Sequence, residues 1–252
     1  MSGGVANVTG YPTDEHSKII SQLTKFSTFD NHNVRSFLQS ELGAALPLHI
    51  SLSRSLGLEH EQRDTFVAQL KSQLDAAGLC AFDVSAIGLR WMPNHNQTRW
   101  FLVLQLGRPT SDDLNKLLDS CNHVAASFGQ PKLYANPGEN KEDESILVIP
   151  APGKVKEGSS ALEIFPSKDT QQVLGDKQTQ DSFHISIAWS LSLPTVRTKP
   201  ANTDKMLLDI EGMLKRLHVP VEAIKAKIGN NIVSFPLQRR VSLSTQGQTG
   251  VV

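Results

Sequence analysis

A chain of 252 residues, 39% hydrophobic and 20% charged with 17 glycines, has ordinary globular proportions and enough length for one large core, which excludes collagen-like, wholly disordered and membrane classes. Its formal net charge of zero argues against gripping nucleic acid by bulk electrostatics, because neutralising phosphates needs an excess of Lys and Arg. Local excess survives between Leu214 and Arg240, where Lys215, Arg216, Lys225, Lys227, Arg239 and Arg240 stand against a single acid, Glu222. That segment reads equally as a solvated helix and hairpin or as an RNA-facing patch. Cys80 and Cys121 each stand alone, so neither a disulfide framework nor a zinc site is expected, and a reducing compartment is. No stretch approaches the roughly 20 apolar residues of a membrane span, and residues 1–10 lack the basic start and apolar run of a secretory signal.

In chain order, residues 1–30 are polar without a clear period and read as an N-terminal, irregular tail. Val34, Phe37, Leu38 and Leu42 fall on helical spacing and predict a short amphipathic helix. Leu48, Ile50 and Leu52 then alternate with His49, Ser51 and Ser53, the pattern of a half-buried strand. A helix is predicted over about 59–77 from Phe66, Leu70, Leu74 and Ala77, stopped by Gly78. Two strands follow, 82–91 and 99–106, joined by the turn-rich residues 93–97. Thr110 or Ser111 is positioned to cap the next helix, whose first turn carries Asp112 and Asp113, with Gly129-Gln130-Pro131 as its end.

After Tyr134 the chain turns polar and rich in Pro, Gly, Lys and Ser. Two apolar islands, 146–149 and 162–165, could pair as short strands within this excursion. Order returns with Phe183, Ile185, Ile187 and Trp189 on one strand face and His184 and Ser186 on the other. A helix follows over about 204–217, then strands 221–228 and 232–237 around Gly229-Asn230, a dipeptide suited to a tight hairpin. Strand, helix and hairpin thus occur twice in the same order, each time opened by a strand bearing His-x-Ser.

Of the eight histidines, only His49 and His184 have serine two positions later. In a strand, residues i and i+2 share a face about 6.5–7 Å apart, so each pair can meet one phosphate. Two imidazoles titrating near neutrality let one ring take a proton from an attacking oxygen while the other gives one to the leaving oxygen. The natural nucleophile is a ribose 2′-hydroxyl, which leaves a 2′,3′-cyclic phosphate that water could open, while Ser51 and Ser186 donate to the non-bridging oxygens as charge builds. No metal or other cofactor is called for. A single His-x-Ser reads most simply as a polar strand face, and duplication in matching strands is what favours chemistry. His60, His95 and His123 lack the partner motif and read as surface residues, and His16, His32 and His218 are given no role.

The segments Leu48-His49-Ile50-Ser51-Leu52-Ser53 and Phe183-His184-Ile185-Ser186-Ile187-Ala188-Trp189 resemble the paired signatures of the two-histidine phosphoesterase superfamily, and within it the U6 small nuclear RNA phosphodiesterase family. Asn96-Gln97-Thr98-Arg99 and Lys227-Ile228-Gly229-Asn230 add to the similarity, which spans about 46–237 outside the excursion. The resemblance implies an α+β fold of two pseudo-symmetric lobes, each an antiparallel sheet with helices on its outer face, around a central catalytic groove. Residues 31–252 would then form a single bilobal phosphoesterase domain with an insertion at about 135–180. It further implies a monomeric, nuclear 3′-to-5′ exoribonuclease that trims the oligouridine 3′ tail of U6 small nuclear RNA. His49 and His184 would be catalytic and Ser51 and Ser186 would hold the phosphate. The backbone of Ser182 and Phe183 would line the nucleotide site, with Tyr134 in the place of a base-stacking tyrosine. The rival readings are a 2′,5′- or cyclic-nucleotide phosphodiesterase or ligase-like relative of the same superfamily, and a non-catalytic RNA-binding module.

Overall fold

Leu48, Ile50 and Leu52 are 8%, 1% and 0% exposed while His49 between them is open to solvent, so the alternation written in the sequence is the alternation of a sheet with one buried face. The structure, a computed structural model, describes residues 2–27, 34–94, 96–134, 162–165, 183–194 and 203–239. Its strands are β1 (Ser2–Gly10), β2 (Arg35–Ser36), β3 (Leu48–Ser51), β4 (Leu56–Leu58), β5 (Phe82–Pro93), β6 (Trp100–Leu106), β7 (Leu162–Phe165), β8 (His184–Ser190), β9 (His218–Val221), β10 (Ala223–Ile228) and β11 (Asn231–Pro236). Four helices accompany them among the described residues: α1 (Asp14–Phe26), α2 (Gln62–Ala77), α3 (Asp113–Ser127) and α4 (Thr203–Leu214).

The strands form one antiparallel sheet in the order β11-β10-β1-β3-β8-β6-β5-β7, with β2 added to β8, β4 to β1 and β9 to β5. The class is α+β, as expected, but the two motif strands are neighbours in one sheet and do not face each other from two separate sheets. Pairing β3 with β8 gives both strands a hydrogen-bonding partner on an edge that would otherwise be open. The repeated units also exchange parts. Hairpin β5–β6, which follows β3 and α2 in the chain, pairs with β8, whereas β10–β11, which follows β8 and α4, joins β3 through β1.

Residues 2–26 are not an irregular tail. Ala6 and Val8 are 1% and 5% exposed in β1, which lies between β3 and β10. The pattern hides because its inward positions include Gly4 and Ala6, too small to register as an apolar period. Helix α1 starts where Thr13 Oγ1 accepts from His16 N at 3.1 Å, carries Asp14 and Glu15 in its first turn, and buries Ile19, Ile20 and Leu23. Its end is tied to the sheet by Trp91 Nε1 donating to Ser27 O at 3.2 Å.

The helix expected from Val34, Phe37, Leu38 and Leu42 is instead β2 and turns. Phe37 N donates to Ile187 O at 2.9 Å, and Leu42 is 96% exposed, so the apolar spacing there serves an extended segment laid on β8. Helices α2 and α3 form as predicted, with Gly78 in the left-handed region (φ 59°) closing α2. The α3 cap is Asp112 and neither Thr110 nor Ser111; Arg108 binds the Asp112 carboxylate with two hydrogen bonds of 2.6 and 2.7 Å. Island 162–165 is a strand, but it pairs with β5, and island 146–149 lies outside the described residues. The predicted helix to 217 ends at Leu214, and the predicted strand 221–228 is β10, on β1, except that Val221 closes a separate strand, β9, on β5. Side chains from the sheet and from α1 to α4 share one hydrophobic core.

Candidate active site

The site is set by a single register. In the β3–β8 pair Ile50 lies opposite Ile185, and both are buried, at 1% and 4% exposure. Extending the antiparallel pairing one residue each way puts His49 across from Ser186 and Ser51 across from His184, all on the face away from the isoleucines. The two pairs interlock, and the histidines become diagonal neighbours, for which strand geometry gives about 7–8 Å between backbones. That separation admits a phosphate between the two rings, with a hydroxyl beside each.

Flanking strands extend this face. Thr9 lies beside His49 and Asn7 beside Ser51, and on the next strand Lys225 pairs with Asn7 and Lys227 with Val5. On the other side Gln105 lies beside His184 and Val103 beside Ser186. Gly88 pairs with Gln105, and a Cβ at Gly88 would run into the Gln105 side-chain amide, so glycine there leaves room for that side chain to lie across β5. Of the basic segment near the C-terminus, Lys225 and Lys227 join this face. Lys215 is held by Glu211 at 2.9 Å, and position 240 is outside the described residues.

His49 is open at its edge, yet the protein around its ring holds its pKa below the usual histidine value by desolvation. Tyr134, half-buried with φ 56°, meets the Phe183 ring edge-on at a centroid distance of 5.8 Å. Burial pushes its hydroxyl up to about 12. Phe183 itself points into the core at 6% exposure, and its carbonyl accepts from Leu106 N at 3.0 Å. The structure thus sets Tyr134 against the residue preceding His184, while Ser182 lies outside the described residues. An apolar cavity of about 90 Å³ reaches His49 at its rim but lies behind the seam among Val8, Ile20, Leu48, Ile50 and Ile185, away from both serines. Among the described residues no group of His, Cys, Asp and Glu has a metal-binding arrangement, and no helix is long and apolar enough to cross a membrane.

One expectation about β8 fails in an informative way. Ser186 pairs with Val103 but Ala188 with Leu102, so Ile187 is an extra residue in β8, a β-bulge. Trp189 pairs with Phe101, and Phe101 shares the face of Val103 and Gln105 along the regular strand β6. Trp189 therefore lies on the histidine face, not with Phe183 and Ile185. Sequence reasoning also missed Thr9, Asn7 and Gln105; the weak Gly4-Ala6-Val8 alternation was the available signal for the first two.

An antiparallel α+β sheet with two His-x-Ser strands side by side defines a two-histidine site. The profile of the HVSL family, described as an uncharacterised conserved protein, matches residues 9–236, and the chain belongs to that family. It is similar to a protein of Neurospora crassa named U6 snRNA phosphodiesterase 1, with 28% identity over 220 residues covering 78% of this chain and 49% of that protein. It is also similar to one of the same name from Danio rerio, with 22% identity over 246 residues covering 94% of this chain and 68% of that one. The chain thus spans about half the length of the first and two thirds of the second. It shares its fold with Kluyveromyces marxianus Usb1, solved alone (TM-score 0.55) and with uridine monophosphate (TM-score 0.56). Identity is 14% in both, covering 93% of this chain and 98% of that one.

Proposed function

We propose that this chain is an RNA phosphodiesterase, a 3′-to-5′ exoribonuclease that trims the oligouridine 3′ end of U6 small nuclear RNA. The observation that carries the reading is the pairing of Ile50 with Ile185, whose extension interlocks His49, Ser51, His184 and Ser186 on one sheet face. The names of the relatives, and the uridine nucleotide held by a protein of the same fold, support the substrate class.

In this reading one imidazole takes the proton from the ribose 2′-hydroxyl as its oxygen attacks the adjacent phosphorus, and the other protonates the departing 5′-oxygen. Ser51 and Ser186 donate hydrogen bonds to the non-bridging oxygens, where negative charge grows. The product carries a 2′,3′-cyclic phosphate, or a 3′-phosphate once water opens the ring. Tyr134 and the backbone of Ser182 and Phe183 hold the terminal nucleotide. With both proton transfers assigned to imidazoles, the chemistry asks for no metal ion. The reading takes the chain as a monomer that works in the nucleus, the compartment implied by a small nuclear RNA substrate.

The test is digestion of a 3′-oligouridylated RNA in EDTA, with mass spectrometry of the ends. One-nucleotide shortening to cyclic-phosphate or 3′-phosphate ends is expected. Activity abolished by the chelator and restored by a divalent ion, or RNA bound but left uncut, overturns the proposal.

A further inference from the structure

The bulge at Ile187 turns Trp189 onto the histidine face, about 10 Å along β8 from Ser186. Two guanidinium groups pack on its indole, Arg35 at 5.3 Å and Arg99 at 4.9 Å from the ring centroid. They come from opposite sides of the strand: Arg35 from β2, which pairs with Trp189, and Arg99 from the residue preceding β6. Phe101, beside Trp189, stacks on Phe37 with centroids 6.2 Å apart, giving this end of the face an apolar floor.

A guanidinium stacked on an aromatic ring keeps its in-plane N–H donors free, a geometry that suits a phosphate better than a mobile lysine does. Arg35 spends part of that capacity on Glu41. Arg99 is exposed and meets no carboxylate among the described residues. The stack therefore presents positive charge next to a catalytic face on a chain whose net charge is zero.

We infer that Trp189, Arg35 and Arg99 form a subsite for the body of the RNA, gripping phosphates on the 5′ side of the cleaved linkage. The inference rests on the reading of the histidine face as an RNA site and adds a direction to it. In that reading the terminal nucleotide lies at the start of β8, against Tyr134 and the Phe183 backbone, so the rest of the RNA runs toward the other end of β8, where the arginine stack stands. A dinucleotide spans the cleaved phosphate and stops short of the stack, whereas an octanucleotide covers it.

The experiment compares binding of a dinucleotide and an octanucleotide of uridine, each 2′-deoxy at the nucleotide whose hydroxyl would attack, to the unaltered chain and to Arg99→Gln. Circular dichroism of the variant confirms its fold, and cleavage of the all-ribose octamer by the unaltered chain is followed in parallel. The variant is expected to bind the octamer about tenfold more weakly and the dimer within about twofold, with the octamer's salt slope lower by about one. Arg99→Lys recovers part of the octamer affinity. Equal loss on both lengths, no loss on either, or no preference of the unaltered chain for the longer RNA overturns the subsite. Length-dependent loss with the all-ribose octamer left uncut keeps the subsite and overturns the nuclease reading.

Discussion

On the β3 side of the seam the histidine face is polar and open: Thr9, Asn7 and Lys225 are half-buried, Lys227 exposed, and His49 itself exposed. On the β8 side it is dense, with Val103 and Gln105 at 1% and 5% exposure, His184 half-buried, and Trp189 packed between arginines. The same His-x-Ser pair therefore sits in two unlike surroundings. In the proposed reaction the paired motifs supply one imidazole each for proton transfer, and the unlike neighbours are what would give the RNA a direction.

The largest expected effect tests the equivalence. His49→Ala and His184→Ala should each lower kcat on oligouridylated RNA by about 10²- to 10⁴-fold while RNA affinity persists. The double variant should be little worse than either single, as for residues acting as a unit. One histidine proving dispensable would break the pairing of the two halves. The serines come next: Ser51→Ala and Ser186→Ala are each expected to cost about 10²-fold in kcat, the scale of a lost oxyanion donor, and a loss in KM alone would move them from the reaction to ground-state binding.

The pH profile sharpens the comparison further. His49 is held below the ordinary histidine pKa of 6.5, so its ring stays neutral to more acidic pH. If His49 is the base, the rising limb of kcat/KM against pH lies below 6.5, and a limb above that value gives the base role to His184. The smallest effect belongs to the open half. Lys225→Gln should weaken RNA binding severalfold, uniformly across sequences, and lower the salt slope by about one; an unchanged slope would leave Lys225 outside the RNA path.

Local chemistry is legible where one residue pattern has one physical solution. Alternation across 48–53 made β3, Phe66, Leu70 and Leu74 made α2, and Gly229, with φ 60°, turned β10 into β11. Strand β1 was illegible because small inward residues carry little hydrophobic signal, although its neighbours bury it. The segment 34–42 misled because helical spacing and an extended segment draped over β8 both place Val34, Phe37 and Leu38 inward, and only Leu42, left exposed, tells them apart.

The sequence by itself determined the two His-x-Ser strands and the side on which each histidine stands, because side-chain direction repeats every two residues along one strand. Tertiary structure alone decided that these strands pair at Ile50 and Ile185, that the hairpins exchange between halves, and that one extra residue at Ile187 turns Trp189 outward. Register and bulges are properties of two strands together, fixed by pairings as distant in sequence as Val103 with Ser186 and Ile50 with Ile185, and no period within either strand encodes them.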